Sequence, residues 1–274
     1  MSLSPRSESG TGESRDRGDM NYIAMASSDA GMVKETNQDS YFAEISSTPI
    51  GKVAFAIVCD GMGGLDRGEL ASASVTEAFR RWTKERLPSL CVQEIPDQEI
   101  RQDWTEIALS YNEKLQRYGR EHQIRLGTTV TSLLLTESRY YIMNVGDTRA
   151  YEITNRILQI TRDHTVIERE IEMGNLTPEE AETDPRRSVL LQCIGASEEI
   201  YPDFFFGRTR LNSVYLLCSD GFRHKISNAE IHRHLNADVC ASPEEIKRNI
   251  DRLIALDMRR MEQDNITAIA IRTY

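Results

Sequence analysis

What the chain is short of narrows the field first. Five cysteines stand among 274 residues (Cys59, Cys91, Cys193, Cys218 and Cys240), widely spaced and without a CxxC pair. That spacing excludes a zinc ribbon or thioredoxin-type motif and gives no disulfide framework to expect. Three of the five lie in apolar runs and read as buried thiols, so a reducing, cytoplasmic setting is expected. Long hydrophobic runs are missing: the longest, VAFAIVC at 53–59, is seven residues, against the roughly 20 needed to span a bilayer. The first 19 residues hold no apolar stretch of the kind a secretory leader needs. Basic charge is in deficit, with 33 Lys and Arg against 43 Asp and Glu, a net of −10. This argues against nucleic acid or an anionic membrane as partner and leaves room for cations. There is no GxSxG and no HExxH, and GMGG at 61–64 is not followed by Lys and Ser or Thr. A nucleophile elbow, a zincin site and a P-loop are therefore excluded.

What is present reads as one domain over residues 20–274 behind a disordered, Ser-, Gly- and charge-rich tail at 1–19. Strands are predicted at NYIAMASS, SYFAEI and KVAFAIVC, the last apolar on both faces and so central and covered on two sides. A helix over GELASASVTEAFRRWTKERL follows, then a second from about 97 to 123. In the second, Ile100, Trp104, Ile107, Tyr111, Leu115 and Tyr118 form one apolar stripe. Strands return at TTVTSLLL, RYYIMNV, RAYEI and ILQI, with a hairpin expected at Asn155 and Arg156. Residues 163–185 look helical and charged, and capping boxes are predicted at Thr177 to Glu180, Ser227 to Glu230 and Ser242 to Glu245. Two further strands, DFFFGRT and VYLLCS, an amphipathic helix along Ile246, Ile250, Leu253, Ile254 and Asp257, and a last strand, NITAIAIRT, close the chain. Clustered strands with grouped helices predict an α+β fold: two packed, mainly antiparallel sheets flanked by helices.

Chemistry concentrates in carboxylates at strand edges. Asp39 precedes SYFAEI, Asp60 and Gly61 follow FAIVC, Asp147 follows YIMNV, Asp220 and Gly221 follow YLLCS, and Asp264 precedes ITAIAI. Any one of these is an ordinary turn residue. Together they place acids where two Asp-Gly strand ends would share a sheet edge. Several carboxylates within a few ångströms repel unless a cation lies between them. An all-oxygen set suits Mg²⁺ or Mn²⁺. The five histidines are expected at the surface or in capping roles.

The ordered blocks NQDSYF, AIVCDGMGG, LGTTVTSLLL, NVGDTRAY, ITRDHT, LLCSDGF and DNITAIAI resemble the metal-dependent serine/threonine protein phosphatases of type 2C, in their bacterial form, over essentially all of 20–274. The resemblance implies hydrolysis of phosphoserine and phosphothreonine on proteins at a centre of two Mn²⁺ or Mg²⁺ ions, with room for a third. It implies Asp60 as the residue shared by both metals and the Gly61 carbonyl as a ligand. Asp220 and Asp264 would complete the set, with Asp39 holding metal waters and Asp147 sharing a third position with Asp220. Residues 162–190 match a variable flap, within which His164 is a candidate substrate contact. The partners implied are phosphoproteins made by a Ser/Thr kinase, with no nucleic acid and no membrane, and the chain is expected to be a monomer.

The chain departs from the family pattern at four places. Lys34 stands where relatives often carry a phosphate-binding Arg, and lacks its bidentate fork. Gln38 replaces a common Glu, Met62 a His, and His224 an Asp. None removes an implied metal ligand. The alternative reading is a pseudophosphatase that keeps the fold as a binding module, with a phosphatase of small phosphoesters as a third.

Overall fold

The computed structural model describes residues 20–62, 67–181 and 183–274. The tail expected at 1–19, and Gly63 and Gly64 of the GMGG loop, lie outside the described residues. In chain order the elements are β1 (Tyr22–Asp29), β2 (Ser40–Thr48), β3 (Gly51–Cys59), α1 (Gly68–Glu85), α2 (Leu87–Leu90), α3 (Asp97–His122), β4 (Val130–Leu135), β5 (Arg139–Val145), β6 (Arg149–Ile153) and β7 (Ile157–Gln159). There follow α4 (Val166–Glu172), α5 (Pro178–Ala181), β8 (Asp203–Arg208), β9 (Ser213–Cys218), α6 (Asn228–Leu235), α7 (Pro243–Arg259) and β10 (Ile266–Thr273). They build two five-stranded sheets, ordered β1-β10-β9-β6-β7 and β2-β3-β4-β5-β8. Every strand pair within them is antiparallel.

The two-residue period of β3 sorts its side chains into two cores. Val53, Phe55, Ile57 and Cys59 face α1 and α3, where Phe79, Trp82 and Trp104 pack around Phe55 at ring-centroid distances of 5.9 to 6.2 Å. Ala54, Ala56 and Val58 turn to the other sheet and meet Leu217, Ile269 and Ile271. Those three alternate with Leu216, Cys218, Ala268 and Ala270, which face α6 and α7. The result is four layers (helices, sheet, sheet, helices), and β3 is covered on both faces as its composition predicts. Each large apolar side chain buried this way contributes about 1.5–3 kcal/mol.

Local signals are met with informative exceptions. The hairpin joins β6 to β7, closed by the Thr154 N–H on the Arg156 carbonyl at 2.8 Å. Ser227 and Glu230 cap each other reciprocally at the start of α6. At α7, Ser242 caps Glu245, but the Glu245 carboxylate takes the Ala241 N–H instead of closing the box. The charged stretch at 163–185 holds two short helices, α4 and α5, and the capping box predicted at Thr177 and Glu180 opens the second, with Pro178 at its first position. In α3, Trp104 is fully buried, but Tyr118, expected in the core stripe, is 37% exposed and stacks on His122. All five cysteines are free and buried.

Candidate active site

Antiparallel pairing brings the acids to one end. Ser40 pairs with Cys59, so the residue before β2, Asp39, lies beside the residue after β3, Asp60. Val58 pairs with Thr131 and Val130 with Val145, which brings the end of β5, and Asp147 beyond it, to the same rim. In the facing sheet Cys218 pairs with Ala268, so Asp220 after β9 and Asp264 before β10 share an end. One expectation needs correcting: the two Asp-Gly strand ends are not on one sheet edge. β3 and β9 belong to different sheets, and their acids meet across the sandwich.

Local backbone contacts hold these acids in place. The Asp60 N–H donates to Thr129 Oγ1 at 3.0 Å, and its carbonyl accepts from the Thr129 N–H and Thr128 Oγ1, both at 2.9 Å. Gly61 must be glycine, since a Cβ would come within 2.5 Å of the Gln38 and Gly68 carbonyl oxygens. Gly221 is as tight, its Cβ position lying 2.2 Å from the Asn265 carbonyl oxygen. Asn265 ties the loop before β2 to β10. Its Oδ1 accepts the Gln38 N–H at 2.9 Å, and its Nδ2 donates to the carbonyls of Ala30 and Thr36.

Burial sets the electrostatics. It raises Asp39 and Asp147 to about 7, with the Asp220 charge adding to both. Burial raises Asp60 well above the usual carboxylate range, and the charges of Asp39, Asp220, Asp147 and Asp264 push it further. Asp264, Asp220 and Asp147 each have a basic side chain beside them. Lys34 Nζ lies 3.3 Å from Asp264 Oδ1, His224 Nε2 lies 3.3 Å from Asp220 Oδ2, and Arg223 Nη2 lies 3.7 Å from Asp147 Oδ2.

Among the described residues no three His, Cys, Asp or Glu side chains stand close enough together to enclose an ion. The acids are gathered but not closed on a common point, as mutual repulsion requires. The residues nonetheless fit divalent cations. Both carboxylate oxygens of Asp39 and Oδ1 of Asp220 are buried and meet no protein partner at hydrogen-bond distance. The Ser219 and Thr267 hydroxyls face Asp39 from further out and offset its burial in part. Orphaned anionic oxygens of this kind call for a hard cation or its waters.

Two sequence candidates sit elsewhere than expected. His164 is not a surface histidine; it is buried, with both ring nitrogens engaged. Nδ1 lies 3.1 Å from the Gly146 N–H and 2.8 Å from Gln192 Nε2, while Nε2 lies 3.1 Å from Asp203 Oδ2. Two donors at Nδ1 require the proton on Nε2, so the ring bonds as a neutral strut. The Gln38 amide turns to Glu69 Oε2, at 3.3 Å. Asn265, Arg223 and Glu262 escaped assignment from sequence: an Asn beside an Asp, or an Arg after a strand, carries no periodic signal.

Fold and site together define a double sandwich whose acidic end suits divalent cations. The profile of the Protein phosphatase 2C family matches residues 32–253, and the chain belongs to that family. It is 30% identical over 245 residues to the serine/threonine protein phosphatase PstP of Mycobacterium tuberculosis, which covers 89% of this chain and 43% of PstP. The chain thus spans less than half the length of that relative. It is 28% identical to the serine/threonine phosphatase stp of Listeria welshimeri, over 89% of this chain and 92% of that protein. The crystal structure of the PstP catalytic domain in complex with two manganese ions superposes with a TM-score of 0.73 at 27% identity, covering 93% of this chain and 99% of that one.

Proposed function

We propose that the chain hydrolyses phosphoserine and phosphothreonine esters on proteins at its acidic end, with Asp60, Asp220, Asp264 and the Gly61 carbonyl holding two Mn²⁺ or Mg²⁺ ions. The observation that carries this is the set of buried, orphaned oxygens on Asp39 and Asp220 beside Asp60. When bound, such ions supply a water of lowered pKa and neutralise phosphoryl charge. Asp60, pinned through its own backbone, presents its carboxylate from one sheet; Asp220 and Asp264 present theirs from the other. Asp39 orients water through its two free oxygens. Lys34, half-buried beside Asp264, is positioned to take a phosphate oxygen. Nucleophilic cysteine chemistry is disfavoured: burial holds the Cys59 and Cys218 thiols up at about 12 and the Cys240 thiol at about 11.

Residues 162–190, between β7 and β8, act as the flap that selects among phosphoproteins, which are by their chemistry the products of Ser/Thr kinases. A reducing, cytoplasmic setting accords with five buried free thiols; no helix among the described residues is long and apolar enough to cross a membrane. The test is hydrolysis of p-nitrophenyl phosphate and phosphopeptides with Mn²⁺ or chelator. Chelator and Asp60→Asn should each lower kcat at least about 100-fold. Turnover that survives both would overturn the proposal.

A further inference from the structure

The family resemblance assigns Asp147 and Asp220 to a third ion. The residues that follow Asp220 in this chain do not fit one. The Arg223 side chain is 14% exposed, and its Nη2 lies 3.7 Å from Asp147 Oδ2, 3.1 Å from the Asp147 carbonyl oxygen and 3.2 Å from Asp163 Oδ2. Asp163 is clamped in turn by Arg149, whose Nε and Nη2 reach its two carboxylate oxygens at 2.8 and 2.7 Å. Charges of alternating sign therefore run Arg149, Asp163, Arg223, Asp147 through a largely buried strip. On the Asp220 side the position is flanked by His224, which also lies 3.5 Å from Glu262 Oε1.

This arrangement differs in kind from Lys34 beside Asp264. Lys34 is a single flexible cation with 31% of its side chain exposed and one acidic partner, free to swing to substrate. Arg223 is anchored from behind by Asp163, cannot shed its proton, and would strand a buried charge if it left. A divalent ion at Asp147 would have to sit against this fixed guanidinium.

We infer that Arg223 takes the electrostatic place of the third ion, so that Asp147 is neutralised by a resident guanidinium and the chain binds two divalent cations. The inference rests on the two-metal reading above. Arg223 is a positioning residue, acting through Asp147.

Equilibrium dialysis of the folded chain against Mn²⁺ tests this by stoichiometry, which a merely structural role would not change. The wild-type chain should saturate at two ions, and Asp147→Asn should also hold two. Arg223→Met, which removes the charge but keeps most of the side-chain bulk, should gain a third. Three ions in the wild type, falling to two in Asp147→Asn, would overturn the inference; so would a folded Arg223→Met that stays at two. If Arg223→Met fails to fold, the wild type and Asp147→Asn decide it alone. Fewer than two ions in the wild type would bring down the two-metal reading, and this inference with it.

Discussion

At the residue scale the cations around the site divide by how they are held. Lys34 reaches Asp264 from a loop tied to β10 through Asn265, so it is placed near the acidic end without being locked there. Losing one charge-assisted phosphate contact costs about 1.5–3 kcal/mol, and each 1.4 kcal/mol is about a factor of ten. Lys34→Ala should therefore raise KM for a phosphopeptide about tenfold. Because Lys34 competes for Asp264 in the metal-free chain, the same variant should bind Mn²⁺ no more weakly than wild type. Steady-state kinetics beside a Mn²⁺ titration checks both, and an unchanged KM would reduce Lys34 to a surface charge. His164 shows the opposite case. It lies in the flap segment at 162–190, and its bonds to Gly146, Gln192 and Asp203 make it a brace between the end of β5, β8 and the segment before α4.

At the element scale α7 carries the one acid that breaks its own pattern. Asp257 falls on the buried stripe with Ile246, Ile250, Leu253 and Ile254, near the C-terminal end of the helix, where a negative charge opposes the macrodipole. Burial pushes it up to about 8, with the Glu262 charge adding to the rise. A folded-state pKa above the unfolded value means the native chain binds the extra proton. The stability this brings is complete below the ordinary carboxylate range and is lost as pH rises through about 8. Asp257→Asn keeps the shape without the charge. In chelator its thermal-melt curve against pH should fall less steeply than that of wild type from about pH 4 to about pH 8, and at the alkaline end it should melt several degrees higher. Parallel curves would mean that Asp257 stays ionised in the fold.

For the whole molecule the acidic end is a built-in instability that cations relieve. Asp39, Asp60 and Asp147 are all raised, burial leading and neighbouring carboxylates adding. In chelator, stability should therefore be lost as pH rises through about 7, where Asp39 ionises. Mn²⁺ needs the ionised forms of Asp39 and Asp60, so its stabilising effect should grow over the same range. Saturation at about 100 times Kd contributes about 2.7 kcal/mol, and at about 2–4 °C per kcal/mol for a domain of this size Tm should rise by about 5–10 °C. Asp60→Asn should match or exceed wild type in chelator and lose most of that shift. A melt indifferent to Mn²⁺ and chelator would remove the metal centre.

The sequence by itself determined the elements and the chemistry at their ends. Continuous apolar runs in β3 and β9, the stripe along α7, and acids at strand edges are local patterns, each readable without its partner. They were enough to predict two antiparallel sheets between helices and to single out Asp39, Asp60, Asp147, Asp220 and Asp264. Tertiary structure alone decided which patterns meet. β3 and β9 looked like neighbours on one edge and proved to face each other from separate sheets, because an apolar run specifies that both faces are buried and not what buries them. Arg223 and Asp147 lie 76 residues apart, and His164 and Asp203 lie 39 apart. Pairings at that separation arise from strand register and packing across the sandwich, and no spacing along the chain encodes them.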